Sequence, residues 1–455
     1  MTTKFGWTVV LALGLAGMVQ LVATAARPEA AEPAPAPVPE PTLRWQVGGG
    51  NLVTHLAGPP SEQLYQALAG VGAQLARMDS YGWRDLQHRP TPHDFDAAML
   101  DAYRHGITPI ILLEYEGSYQ FLDPPQPLGT RREWAAAGES YARRFAPNGD
   151  WAREHGIVDW GVTVFSAINE PDVQATIPKA AYHDALAGFA EGIHRVDPRL
   201  KVVPGGFATC NSDGDTNLRG YGPAIADLIE RGDLDGIDLH TYYNARWYPL
   251  TKGREFSAQA CFDKIKTALG IRRDIGFYAT EYNISRDDAW EDPAVAASLF
   301  LTAFWDEMTV VGADGRTPVT RLAFPWNLGD TEDVDGPAYA MATAKAPWRG
   351  DLRADVLARV LGLAGDMRLS SVDRAAGTLT LDGPAGELQV WHDRPGWSDR
   401  IAVDWDVVAP AWAGTAELWG WRGRMATARV VGGHVRFGGL TEHGTYMALF
   451  PKAGR

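Results

Sequence analysis

The chain has 455 residues and a net charge of −14, with 22% charged and 45% apolar residues, enough to bury one large core beside a smaller one. The acidic balance argues against nucleic acid as a partner, because a phosphate backbone needs clustered Lys and Arg. Two cysteines, Cys210 and Cys261, exclude a disulfide-dense scaffold and a four-cysteine zinc site; in an oxidising compartment they either pair or stand as two independent buried thiols.

In chain order, Lys4 precedes an uncharged stretch from Phe5 to Ala26 that reads as an export signal. Residues 1–26 are either a signal peptide cut beside Ala23-Thr24-Ala25 or an uncleaved anchor in the inner membrane, so the expected location is periplasmic or secreted. Residues 27–42, rich in Pro, Ala and Glu, cannot pack and read as an extended spacer. From 43 to 366, short apolar runs alternate with amphipathic stretches in which residues such as Leu64, Leu68 and Val71 recur at helical spacing. The predicted strands are Trp45–Val47, Gln74–Met78, Thr108–Leu113, Val162–Ile168, Val202–Gly206, Gly236–His240, Gly276–Thr280 and Arg321–Pro325. Gly48-Gly49-Gly50 lacks dinucleotide-binding spacing and reads as a tight turn after the first strand. Beyond a helix over 352–363, residues 367–455 break into short alternating runs between Gly-rich turns. The expected fold class is therefore α/β, a (β/α)8 TIM barrel with a C-terminal antiparallel β-sandwich domain that braces the barrel or binds sugar through exposed Trp.

In such a barrel the C-terminal ends of the strands face the active site. The fourth strand ends at Asn169-Glu170-Pro171 and the seventh at Thr280-Glu281-Tyr282-Asn283, so two carboxylates can face one another across the mouth. That is the requirement for hydrolysis of an acetal, in which one group protonates the leaving oxygen while the other attacks or stabilises the anomeric carbon. The rival acids are Asp79, Glu114 and Glu116, expected to line subsites.

These motifs resemble the retaining glycosidases of clan A. The resemblance implies Glu170 as acid/base and Glu281 as nucleophile, Arg77 holding the nucleophile ionised, and the Tyr242 hydroxyl of His240-Thr241-Tyr242 touching it. It also implies Trp326 as the floor under the sugar and Asn169 on the 2-hydroxyl. His240, Arg77, Asp79, Tyr242, Asn169 and Trp326 are thus the expected substrate-binding set. Within the clan the chain is similar to glycoside hydrolase family 39 and to exopolysaccharide-operon endoglycosidases of the PslG type. That likeness implies a monomer cleaving a bacterial exopolysaccharide internally; an exo-acting β-xylosidase-like enzyme and a non-catalytic polysaccharide-binding protein are the alternatives. Tyr282-Asn283 stands where many relatives have Trp-Gly, and Tyr81-Gly82-Trp83-Arg84 departs beside strand two. The chemistry calls for no cofactor and no metal, and the sequence has no His-Glu-x-x-His motif.

Overall fold

The computed structural model describes residues 41–53, 59–79, 91–114, 128–173, 177–210, 215–243, 258–284, 293–326, 341, 350–374, 376–392, 403–440 and 445–452. The export segment, all but the end of the spacer, Tyr81 to Arg84 and Glu116 lie outside the described residues. Parallel strands β1 (Gly48–Val53), β2 (Leu75–Asp79), β3 (Thr108–Leu113), β4 (Val164–Ala167) and β5 (Lys201–Pro204) pair in sequence order. A second parallel sheet holds β6 (Gly236–Tyr243), β7 (Gly276–Ile284) and β8 (Thr320–Pro325). Isolated parallel bridges connect the two sheets at both edges, Phe207 to Leu239 and Val47 to Ala323.

Helices follow the strands: α1 (Pro59–Val71), α2 (Asp96–Arg104), α3 (Arg131–Phe145), α4 (Asp150–Glu154), α5 (Lys179–Val196), α6 (Tyr221–Arg231), α7 (Ala258–Leu269), α8 (Pro293–Met308) and α9 (Leu352–Ala364). Their starts are written in the sequence. Thr130 and Glu133 form a capping box at α3, and the Asp351 carboxylate caps α9 by accepting from the Arg353 and Ala354 amides. The strands bury both faces, one against the helices and one against each other, where Leu75, Ile110, Val203, Tyr278, Leu322 and Phe324 fill the interior.

The first strand differs from the expectation. Leu43–Trp45 is a single 3-10 turn, and the three glycines expected to turn are strand β1 itself. Packing overrides their low strand propensity: a Cβ on Gly48 would lie 2.6 Å from the Phe324 ring, so the bare backbone makes room for that side chain. Cys210, just past β5, is bonded to Cys261 in α7, with Cα atoms 6.3 Å apart. The bond encloses all of β6.

After α9 the strands become antiparallel. One sheet runs β14-β13-β16-β11-β10-β9 and another pairs β12 with β15. These strands are β9 (Arg368–Asp373), β10 (Thr378–Gly383), β11 (Gly386–Trp391), β12 (Val403–Val408), β13 (Thr415–Gly420), β14 (Gly423–Arg429), β15 (His434–Leu440) and β16 (Tyr446–Pro451). The two sheets share a core in which Trp391 stacks on Trp405 at 5.3 Å between ring centres, with Phe437 and Tyr446 alongside. Leu379, Leu381, Leu388 and Met447 belong instead to the core that contains α8 and α9, so the β strands share apolar packing with the α/β part.

Beneath β6 lies a buried acidic pair at the end of α8. Tyr243 Oη is 2.6 Å from both Asp306 Oδ2 and Glu307 Oε1, and Thr241 donates to Glu307 as well. One hydroxyl proton cannot satisfy two carboxylates, so a carboxyl must supply the second. Burial, with Asp306 beside it, pushes Glu307 well above the ordinary carboxylate range, which places the proton there. The proton is therefore held more tightly in the folded state, and its stabilising effect is complete below the unfolded value near about 4.3 and lost as pH rises towards the folded one. Glu307→Gln should melt close to the wild type at pH about 4 and above it at pH about 8, the gap growing by up to about 1.4 kcal/mol per pH unit. Thermal melts of both proteins across that range would show an equal gap throughout if Glu307 were ionised.

Candidate active site

Alternation along β6 sends Asp238, His240 and Tyr242 to the interior and Thr241 and Tyr243 outward onto α8. On β7 the register changes. Asp238 pairs with Tyr278, but His240, two residues later, pairs with Glu281, three residues later, so β7 carries one extra residue. Such a bulge re-aims side chains, and here the consecutive Thr280 and Glu281 both face the inward residues of β6.

Glu281 is held on three sides. Arg77 Nη1 donates to Oε1 at 2.6 Å, the Tyr242 hydroxyl donates to Oε2 at 2.8 Å, and His240 Nδ1 lies 3.4 Å from Oε2. Arg77 also donates through Nη2 to Asn169 Oδ1 at 2.7 Å and stands 3.8 Å from Asp79. Burial alone would raise the Glu281 carboxyl; His240, Arg77 and the Tyr242 hydrogen bond outweigh it and hold it below the ordinary range.

Glu170 stands opposite, its side chain a quarter exposed where that of Glu281 is 8% exposed. Its Oε1 is 2.6 Å from His240 Nδ1. Burial raises this carboxyl, and the Glu281 charge adds to it against the pull of His240. The backbone that presents it is strained: Ile168 and Glu170 have φ of 65° and 43°, and such a value is an outlier for a β-branched residue. Hydrogen bonds from Ile168 N to Leu113 O and from Glu170 N to Gly206 O hold it, together with a short one from Asn169 N to the Glu114 carboxylate.

The structure thus brings Glu170, Glu281, Arg77, Asn169, His240 and Tyr242 together. Arg77, Asp79 and His240, in the expected substrate-binding set, are each no more than 2% exposed; Arg77 bonds Glu281 and Asn169, and His240 bonds Glu170 and Thr280, so these two position the carboxylates, with Asp79 beside Arg77. Glu114 likewise is buried and braces the Asn169 backbone rather than lining a subsite. Trp326 follows β8 with its amide bonded to Tyr282 O at 2.8 Å. Asn283, one of the departures from the clan pattern, donates to the Trp326 carbonyl and accepts from Arg353 Nη1 at 3.2 Å, so it fixes the end of β8 rather than facing a ligand. Sequence reasoning missed Asp238, although two-residue alternation back from His240 places it on the same face of the strand, and it gave Glu114 a subsite role in place of a bracing one.

Glu170, His240 and Glu281 offer ligand atoms within 4.8 Å of one another, the one such group among the described residues. Arg77 and Tyr242 already bond both oxygens of Glu281, and a guanidinium at 2.6 Å would repel a cation. The donor set fits a pair of carboxylates tuned apart better than an ion.

No family model matches the chain, and no curated protein matches it in sequence. Solved structures match over most of its length. One is a GH30 endoxylanase from Clostridium papyrosolvens C71, with a TM-score of 0.57, 13% identity, and 90% of this chain and 97% of that one covered. A family 51 α-L-arabinofuranosidase from Bifidobacterium longum matches with a TM-score of 0.54 and 12% identity over 91% of this chain and 97% of that one. BuGH86 in complex with neoagarooctaose matches with a TM-score of 0.56 and 13% identity over 91% of this chain and 76% of that one. The mixed α/β chain with its antiparallel C-terminal sheets shares the fold of these solved proteins.

Proposed function

We propose that the protein is a retaining glycoside hydrolase on a closed (β/α)8 barrel with a C-terminal β-sandwich, using Glu170 as acid/base and Glu281 as nucleophile. One observation carries the reading: a carboxylate oxygen of each residue lies within 4.8 Å of the other, one group raised and the other lowered in pKa. Oxygens that close favour the about 5 to 5.5 Å between carboxyl groups of a retaining enzyme over the about 6.5 to 9.5 Å of an inverting one, which must seat a water between them. In the first step Glu281 bonds to the anomeric carbon as the glycosidic C–O bond breaks, and the Glu170 proton goes to the departing oxygen. Glu170 then takes a proton from water, whose oxygen displaces Glu281 with overall retention.

The substrate we propose is a polysaccharide, cleaved internally. The export-type N-terminus, the spacer and the likeness to family 39 and exopolysaccharide-operon endoglycosidases favour a bacterial exopolysaccharide met in the periplasm or outside the cell, with residues 5–26 as a tether if uncleaved. The neighbours solved as an endoxylanase and with neoagarooctaose agree with a carbohydrate ligand. Bacterial and plant polysaccharides should be incubated with the full-length protein and the products sized: oligosaccharides are expected, single sugars would point to exo action, and no cleavage of any together with no labelling would sink the proposal. A 2-fluoro glycoside, which stalls the second step, should label Glu281.

A further inference from the structure

Resting on Glu170 as the acid/base, we propose that Asp238 and Thr280 are positioning residues that fix which nitrogen of His240 carries its permanent proton, and so hold Glu170 as a proton donor. The chain of contacts has a direction. Asp238 Oδ1 accepts from the Thr280 amide at 3.0 Å and Oδ2 accepts from the Thr280 hydroxyl at 2.7 Å. With its proton committed to Asp238, the Thr280 oxygen faces His240 Nε2 at 3.2 Å as an acceptor. The ring proton therefore resides on Nε2. Nδ1 is left with a lone pair towards Glu170 Oε1, and at 2.6 Å a single proton occupies that contact. That proton has two places: on Nδ1 it makes the ring the cation that helps hold Glu281 ionised, and on Glu170, with the imidazole neutral, it is the one that protonates a leaving group.

Turning the ring over would put carbons where Nδ1 meets Glu170 and Nε2 meets Thr280, losing both contacts. A Cβ on Gly206 would sit 2.1 Å from both Nε2 and Cδ2, so the backbone after β5 is pressed against the imidazole. The charged groups around the ring are Glu170 and Asp172 from the segment after β4, Glu281 on β7, Asp238 on its own strand and Arg77 on β2. Phe207 and Gly206 bring none. The bulge that aims Thr280 inward beside Glu281 also places its hydroxyl between Asp238 and His240.

Reversing the chain tests the idea without changing its shape. In Asp238→Asn the new amide donates to Thr280, whose hydroxyl must then donate to Nε2, so the neutral ring keeps its proton on Nδ1 and donates to an ionised Glu170. Long-range proton–nitrogen spectra of the full-length protein, with the His240 signals assigned by His240→Asn, read this directly. The neutral wild-type ring should be protonated at Nε2, the Asp238→Asn ring at Nδ1, and Thr280→Ser should match the wild type. A wild-type ring protonated at Nδ1, or no change in Asp238→Asn, would overturn the assignment; the second result would mean that Asp238 already carries a proton. These readings need no substrate and stand or fall apart from the proposed activity. Where the wild type cleaves a glycoside, the basic limb of kcat/KM should fall by at least about one pH unit in Thr280→Val and return in Thr280→Ser. An unmoved limb in both would leave Thr280 with a purely structural role and overturn the proposal.

Discussion

Glu281→Gln should reduce turnover of any substrate that the wild type cleaves on the order of 10⁴-fold or more, the scale of loss when a covalent nucleophile is removed. The substitution keeps shape and an acceptor for Arg77, so the fold should be retained and the loss should appear in kcat. Activity within about tenfold of wild type would refute Glu281 as the nucleophile. Glu170→Gln should behave differently. Loss of the acid should cost about 10² to 10⁴-fold on a natural glycoside but far less on an aryl glycoside whose leaving group needs no proton.

Arg77→Met is expected to have the largest effect on stability. Arg77 is 2% exposed and donates at once to Glu281 and Asn169, with Asp79 nearby, so its removal takes the guanidinium away from a buried carboxylate. Loss of one partner from a buried pair typically costs about 3 to 5 kcal/mol. Urea unfolding at neutral pH should register a fall of that size, and one below about 1 kcal/mol would mean that the carboxylates find other partners. In whatever fraction remains folded, Glu281 loses a group that holds it ionised, so the acidic limb of the activity profile should move to higher pH. Stability and activity thus report on the same guanidinium by independent routes.

Much of this was legible because its physics is local. Short apolar runs marked most of the barrel strands, helical spacing marked Leu64, Leu68 and Val71 on α1, and the ends of the fourth and seventh strands named Glu170 and Glu281. What escaped depends on partners distant in sequence. The β1 glycines look like a turn until Phe324 is brought against Gly48. Glu114 looks like a subsite acid until the Asn169 amide, set between two residues at positive φ, needs an acceptor. Asn283 looks like a specificity residue until Arg353 and Trp326 are placed around it. His240 reads as a substrate contact from the clan likeness until Glu170 and Thr280 are placed on its two ring nitrogens.

The single surplus residue in β7 has a consequence for descent. Because side chains on a strand alternate, a lineage that shed it would turn either Thr280 or Glu281 away into the surrounding helices. The two positions therefore form one heritable unit: natural variation can exchange what stands at either, but it cannot slide one relative to the other.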